Sequence, residues 1–239
     1  MKIEVLFPDL CQLYGDRGNT LYLKASLPQA DWNETVLSSP LPPRFTEEPI
    51  DLLLLGSMTE QGQRQAIEKL RLFLPQLRAH IARGGGILAT GNSAELFGKS
   101  IEQFDGETPG LGLYDFEAKL APRRLNEHFL GRFGEMPVTG FHSQFTVWEG
   151  EFPEPLFEAE RGWGRAPGDP REGWRDRNFF ATSLLGPLLV QNPAFTKALL
   201  ALFGENEPLA FESAAFAAAE RRLAQLRDPK TDFDLGGAI

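Results

Sequence analysis

Gly84-Gly85-Gly86-Ile87-Leu88-Ala89-Thr90-Gly91-Asn92-Ser93-Ala94-Glu95-Leu96-Phe97-Gly98 decides the fold. The glycine run closes a preceding helix, and Ile87 to Ala89 is an apolar run too short for a helix, so it reads as a buried strand. Gly91-Asn92-Ser93 then turns the chain sharply into a helix start, a junction that often presents function. Upstream, Ile50 to Leu55 is apolar except for Asp51, as suits a strand covered on both faces of a parallel sheet, and Gly56-Ser57 ends it. Between these strands Ile67, Leu70, Leu74, Leu77 and Ile81 recur at three- and four-residue spacing. They predict a helix over 60–81 that Pro75 kinks or divides.

Working outward, Ile3 to Phe7 reads as a strand, and the turn-rich Tyr14-Gly15-Asp16-Arg17-Gly18-Asn19 leads into a helix over 20–27. From Gly106 to Arg177 the chain changes to Gly, Pro and aromatic residues with short alternating runs such as Phe141 to Trp148, which predict antiparallel strands and long loops. Phe179 to Leu184 reads as another strand, Asn192-Pro193 opens a helix through Phe203, and 209–227 is an Ala-rich helix. The expectation is α/β: one domain over 1–227 with a mostly parallel central sheet flanked by helices, a β-rich insertion, and a loose tail over 228–239.

The 239 residues carry 24 Lys+Arg against 33 Asp+Glu, a net charge of −9, which argues against a nucleic-acid partner. No apolar run approaches the roughly 18 residues of a membrane span, and the N-terminus reads as a strand rather than a secretion signal, so a cytoplasmic protein without membrane insertion is expected. Cys11 is the single cysteine, excluding an internal disulfide. His80, His128 and His142 are widely spaced and no metal-binding run is present, so neither metal nor cofactor is expected.

Ligands of open parallel sheets bind beyond the carboxyl ends of the strands. That selects the loops over 8–19, 56–63 and 90–95, with 183–187 as a fourth. These loops carry a resemblance. Phe7-Pro8-Asp9-Leu10 with Leu13-Tyr14-Gly15-Asp16-Arg17-Gly18-Asn19 resembles the opening of the cobyric-acid-synthase-like class I glutamine amidotransferases, above all the glutaminase subunits of lipid II amidation. Asp51 to Gly56, the glycines before Ile87, Glu95-Leu96-Phe97-Gly98, Gly110-Leu111-Gly112, Gly186-Pro187-Leu188-Leu189 and Asn192-Pro193 follow in the family's order, so the likeness covers roughly residues 3–204. It implies a flavodoxin/Rossmann-like fold and a chemistry in which an elbow cysteine attacks the glutamine side-chain amide. A histidine activates it, backbone amides hold the oxyanion, and ammonia passes to a Mur-ligase-like ATP-dependent synthetase subunit.

The chain departs from that pattern where the chemistry is made. Alignment puts Gly91 at the nucleophile position and Leu185 at the histidine position, so no catalytic pair is intact and an inactive glutaminase is expected. Ser93 lacks a positioned base, and Cys11 lies off the elbow. Gly56 and Ser57 fall on the resembled family's oxyanion-side turn, as a tight turn or a surviving anion cradle, and Asn92 and Ser93, where that family has glycines beside the nucleophile, join them as candidate ligand-binding residues. Arg124, in better register than Arg123, stands where an arginine can clamp a small carboxylate. Asp16, Arg17 and Asn19 are expected on the pocket rim or partner face. His142 is expected on a strand surface, and His80 at a helix end where a cation suits the dipole. Two other readings stay open: an active glutaminase or related hydrolase with an unrecognised nucleophile, and a small-molecule-binding module using the vacated pocket.

Overall fold

In the computed structural model, which describes residues 1–236, the apolar runs form the middle of a six-stranded sheet. Its order is β11 (Trp174–Asp176), β12 (Phe179–Thr182), β4 (Gly86–Thr90), β3 (Leu52–Leu55), β1 (Lys2–Leu6), β2 (Asp31–Thr35). Every neighbouring pair is parallel except β11 with β12. Every residue of β3, β4 and β12 is buried, as parallel strands covered on both faces require. Alternation splits each strand between two layers. Leu53 and Leu55 pack with Ile67, Leu70 and Leu77 on one face, while Leu52 and Leu54 pack with Leu189, Phe195 and Leu199 on the other.

Helices α1 (Arg17–Ser26), α2 (Glu60–Arg71), α3 (Leu74–Ala82), α4 (Leu188–Gln191), α5 (Pro193–Ala201) and α6 (Glu212–Arg227) flank the sheet. Pro75 does divide the predicted helix: it sits in the first turn of α3, where its missing N–H leaves no bond unmade. Thr59 Oγ1 accepts from Gly62 N at 3.0 Å and caps α2. His80 is not the helix-end cation expected. It is fully buried, its ring lies 3.0 Å from Gly86 O and 2.9 Å from the Arg83 guanidinium, and burial pulls its pKa down to about 4.

The insertion is a second sheet of order β10 (Arg171–Glu172), β9 (Phe157–Arg161), β7 (Phe116–Phe133), β5 (Ser100–Gln103), β6 (Gly106–Pro109), with β8 (Met136–Gly150) paired to β7. β7 and β8 form one long antiparallel hairpin from Phe133↔Met136 to Phe116↔Gly150, with a register shift between Leu120 and Leu125 where Pro122 falls. Phe116, Ala118 and Trp148 of this sheet join the layer of Leu53 and Leu55.

Residues 228–236, expected as a loose tail, make contacts with the second sheet and the end of α6. His128 N donates to Phe233 O and Leu235 N to Asn126 O, both at 3.0 Å, and Phe233 packs with Leu130 and Leu226. Arg161 holds the corner by donating to the carbonyls of Leu226, Asp228 and Thr231. Residues 237–239 of the expected tail lie outside the described residues. Among the described residues no helix is long and apolar enough to cross a membrane. No three His, Cys, Asp or Glu side chains are placed to hold a metal ion there.

Candidate functional site at the sheet's carboxyl edge

The parallel strands β1, β3, β4 and β12 end on one side, which gathers the four loops selected from the sequence. β4 runs into a 3₁₀ turn over Gly91–Phe97, and Gly91 takes φ +59°, a conformation glycine adopts without cost. The space beside it is taken. A Cβ on Gly91 would lie 1.9 Å from Ser57 Oγ and 3.2 Å from Leu185 Cδ2, so residues of two other loops close over the elbow. Gly91 N donates to Leu184 O at 3.2 Å, and Leu185 N to Phe141 O at 3.0 Å.

The amides after β3 are also occupied. Ser57 N donates to Asp16 Oδ2 at 2.5 Å, and Met58 N to Asn92 Oδ1 at 3.0 Å. Asn92 returns a bond from Nδ2 to Met58 O at 2.8 Å, so it clamps the turn. The Ser57 and Met58 amides of this turn are therefore both held by side chains of the chain itself. Ser93 is fully buried, with its hydroxyl 2.8 Å from Thr90 O and 2.9 Å from Leu55 O, and it forms no part of the cavity wall.

Asp16 and Asn19 leave the rim expected of them. Asp16 is buried between Gly56 and Gly186, where a Cβ on either glycine would meet it within 3 Å. Its carboxyl accepts from Ser57 N, Thr90 Oγ1 and Asn19 Nδ2. Burial raises its pKa above the usual carboxylate value, against the hydrogen bonds from Ser57 and Thr90. Asn19 Oδ1 accepts from Leu189 N at 2.9 Å and fastens α1 to α4. Arg17 is exposed and outside the cavity wall.

Between these loops and the second sheet lies a cavity of about 190 Å³. Ser57, Met58, Gln63, Asn92 and Leu185 meet Ile101, Gln103, Gln144 and Thr146 across it. Arg124 reaches its edge: its guanidinium lies 5.1 Å from the Phe145 ring centre, and Nη2 donates to Tyr14 Oη at 3.3 Å. Arg123 turns away to Asp234. The wall itself carries the carboxylates of Glu60, Glu95 and Glu102 and no lysine or arginine, which disfavours the carboxylate ligand expected from Arg124.

Two groupings at the cavity escaped the sequence reading. Glu95 is buried and accepts from Gln63 Nε2 at 2.8 Å, Trp148 Nε1 at 3.3 Å and the Thr146 hydroxyl. Burial raises its pKa, and the charge of Glu60 adds to the rise. The second grouping follows β12. Ser183 Oγ is 3.0 Å from His142 Nδ1 and 2.9 Å from Glu172 Oε1, and His142 Nε2 lies 3.0 Å from Trp163 O. His142 stacks on Trp163 with ring centres 4.2 Å apart, so it is a core residue and not the strand-surface one expected. The three residues come from separate segments, and no spacing signal joins them; Glu95 was visible as a landmark, but its role depends on β8.

No family model matches the chain. It is 26% identical over 216 residues to the lipid II isoglutaminyl synthase (glutamine-hydrolyzing) subunit GatD of Staphylococcus aureus, covering 89% of this chain and 88% of that one. It is 34% identical over 80 residues to a cobyric acid synthase of Paracoccus denitrificans, covering 31% of this chain and 17% of that protein. A solved glutamine amidotransferase superposes with a TM-score of 0.55 at 18% identity, covering 85% of this chain and 99% of that one. PurLQS from Thermotoga maritima gives 0.53 at 10% identity over 93% of this chain and 98% of that one. At such identities the structures speak for the fold, that of class I glutamine amidotransferases, and the sequence relatives for a resemblance: the chain is similar to GatD along most of its length and to cobyric acid synthases over about a third of it.

Proposed function

We propose that the chain is a glutaminase-like subunit that does not hydrolyse glutamine and that acts, in the cytoplasm, as the partner of a Mur-ligase-like ATP-dependent synthetase in lipid II amidation. The likeness to GatD supports the pathway and the partner. One observation carries the loss of activity: the chain's own groups fill the donors and the space that the reaction needs. A thiolate must stand on the elbow beside a base, with free N–H groups to receive the oxyanion. Gly91 and Leu185 occupy the aligned positions, Ser57 Oγ sits where a side chain on residue 91 would begin, and the Ser57 and Met58 amides are held by Asp16 and Asn92. Cys11 offers no substitute, because burial pushes its thiol up to about 12.

The test is ammonia release from glutamine by the chain alone and with the ligase-like partner recovered on it from its native cells. Expected are a stable ligase-like partner and no release above the blank. Ammonia release by the complex, or recovery without any ligase-like chain, overturns the proposal.

A hydrolase reading rests on the 3.0 Å contact of Ser183 Oγ with His142 Nδ1. It ranks second because the carboxyl contacts the serine rather than the imidazole, and burial pulls His142 down to about 4, a weak base. Reaction of Ser183 with a fluorophosphonate, found by peptide mass spectrometry, would reverse that order.

A further inference from the structure

We infer that the cavity between the two sheets binds the primary ammonium group of a small organic amine, with Glu95 as its counter-ion. The inference is independent of the partner and of the loss of glutaminase activity, because it concerns what the wall attracts. Burial without a cation raises the Glu95 pKa, and among the described residues none pairs with it, so an ammonium group supplies the partner that lets this carboxyl ionise. Of the basic side chains nearby, Arg64 is engaged with Gln103 and Asp105 and Lys119 with Glu102 and Glu117, while Arg124, outside the wall, bonds Tyr14 and lies over the Phe145 face with its Nε left without a hydrogen-bond partner. Exposed Glu60 adds negative charge to the same wall, whereas Glu102 is paired with Lys119.

The acceptors match the head group. Glu95 Oε1 takes two bonds, from Thr146 and Trp148, but Oε2 takes only one, from Gln63, and keeps a lone pair for a further donor. Ser57 is fully buried and lines the cavity, with its hydroxyl beside the Asp16 carboxyl and its oxygen accepting no hydrogen bond. An ammonium group brings three donors and no acceptor, so it suits a wall of carboxylates and a hydroxyl oxygen that accepts no bond. A carboxylate brings only acceptors and negative charge. At the mouth, Phe104 and Phe145 stand with ring centres 5.3 Å apart and give an alkyl or aryl body an apolar seat.

Isothermal titration of the full chain with n-pentylamine and with pentanoate, which share size and shape, tests this. Expected are binding of the amine, at least about tenfold weaker binding of the acid, and about a tenfold loss of amine affinity in Glu95→Gln. Glu60→Gln changes an exposed residue in the first turn of α2, and roughly a threefold loss is expected from the weaker field. Equal or tighter binding of pentanoate, no amine binding, or unchanged amine affinity in a folded Glu95→Gln overturns the inference. Should Glu95→Gln fail to fold, unchanged affinity in Glu60→Gln overturns it. The titration contains neither glutamine nor partner, so its failure is separable from that of the proposed function.

Discussion

Gly91 is held as glycine by two independent constraints, its positive φ and the Ser57 hydroxyl where its side chain would start. Gly91→Cys should therefore cost about 1–3 kcal/mol, from left-handed backbone strain and from overpacking against Ser57 and Leu185. Urea unfolding measures it, and adding Ser57→Gly should recover part of the loss by opening the space. The pair Gly91→Cys with Leu185→His should still release no ammonia from glutamine, because Asp16 and Asn92 keep the amides of Ser57 and Met58. Turnover by that double variant would show that those bonds open in use.

At the scale of elements, the segment after α6 contributes more than its composition suggests. Phe233 is 8% exposed, packs on Leu130 and Leu226, and lies under the Arg161 guanidinium at 4.1 Å. Phe233→Ala should destabilise the protein by about 3 kcal/mol, read as a lower unfolding midpoint with an unchanged denaturant slope. A loss under about 0.5 kcal/mol would mean the segment does not hold the second sheet. The sequence hides this anchor because a single aromatic among Asp, Lys, Thr and Gly has no periodicity. β2 is hidden for a related reason: Asp31-Trp32-Asn33-Glu34-Thr35 pairs only with β1, so no continuous apolar run is required of it. The strands buried on both faces were legible, as was the division at Pro75. The long β7–β8 hairpin was legible only as antiparallel character, since its polar residues and Pro122 interrupt the alternation.

Across the whole molecule, buried ionisable groups pull stability in opposite directions with pH. Burial lowers His80 and His142 from 6.5 to about 4, so what these neutral rings contribute is complete above pH 6.5 and is lost as pH falls towards 4. Burial raises Glu172 from 4.5 to about 7, so its contribution is complete below pH 4.5 and is lost as pH rises through 7; Glu95 and Asp16 shift in the same direction. Glu172→Gln removes one side of this balance. Relative to wild type it should gain on the order of 3 kcal/mol between pH 4.5 and pH 8, whatever its offset at low pH. A constant difference over that range would show that Glu172 titrates normally. These groups also mark where sequence reasoning stops: the loops at the carboxyl edge follow from strand order, whereas the meeting of His142, Ser183 and Glu172 depends on how the second sheet lies on the first.

The interlock of Gly91, Ser57, Leu185 and Asp16 also bears on history. If residue 91 once carried the nucleophile, as we propose, no one exchange restores it, since a side chain there meets Ser57 and Leu185, so reversion needs several substitutions at once. Such a ratchet keeps a lineage on its new course, and homologues that pair glycine at 91 with a residue smaller than serine at 57 would record the order in which the steps were taken.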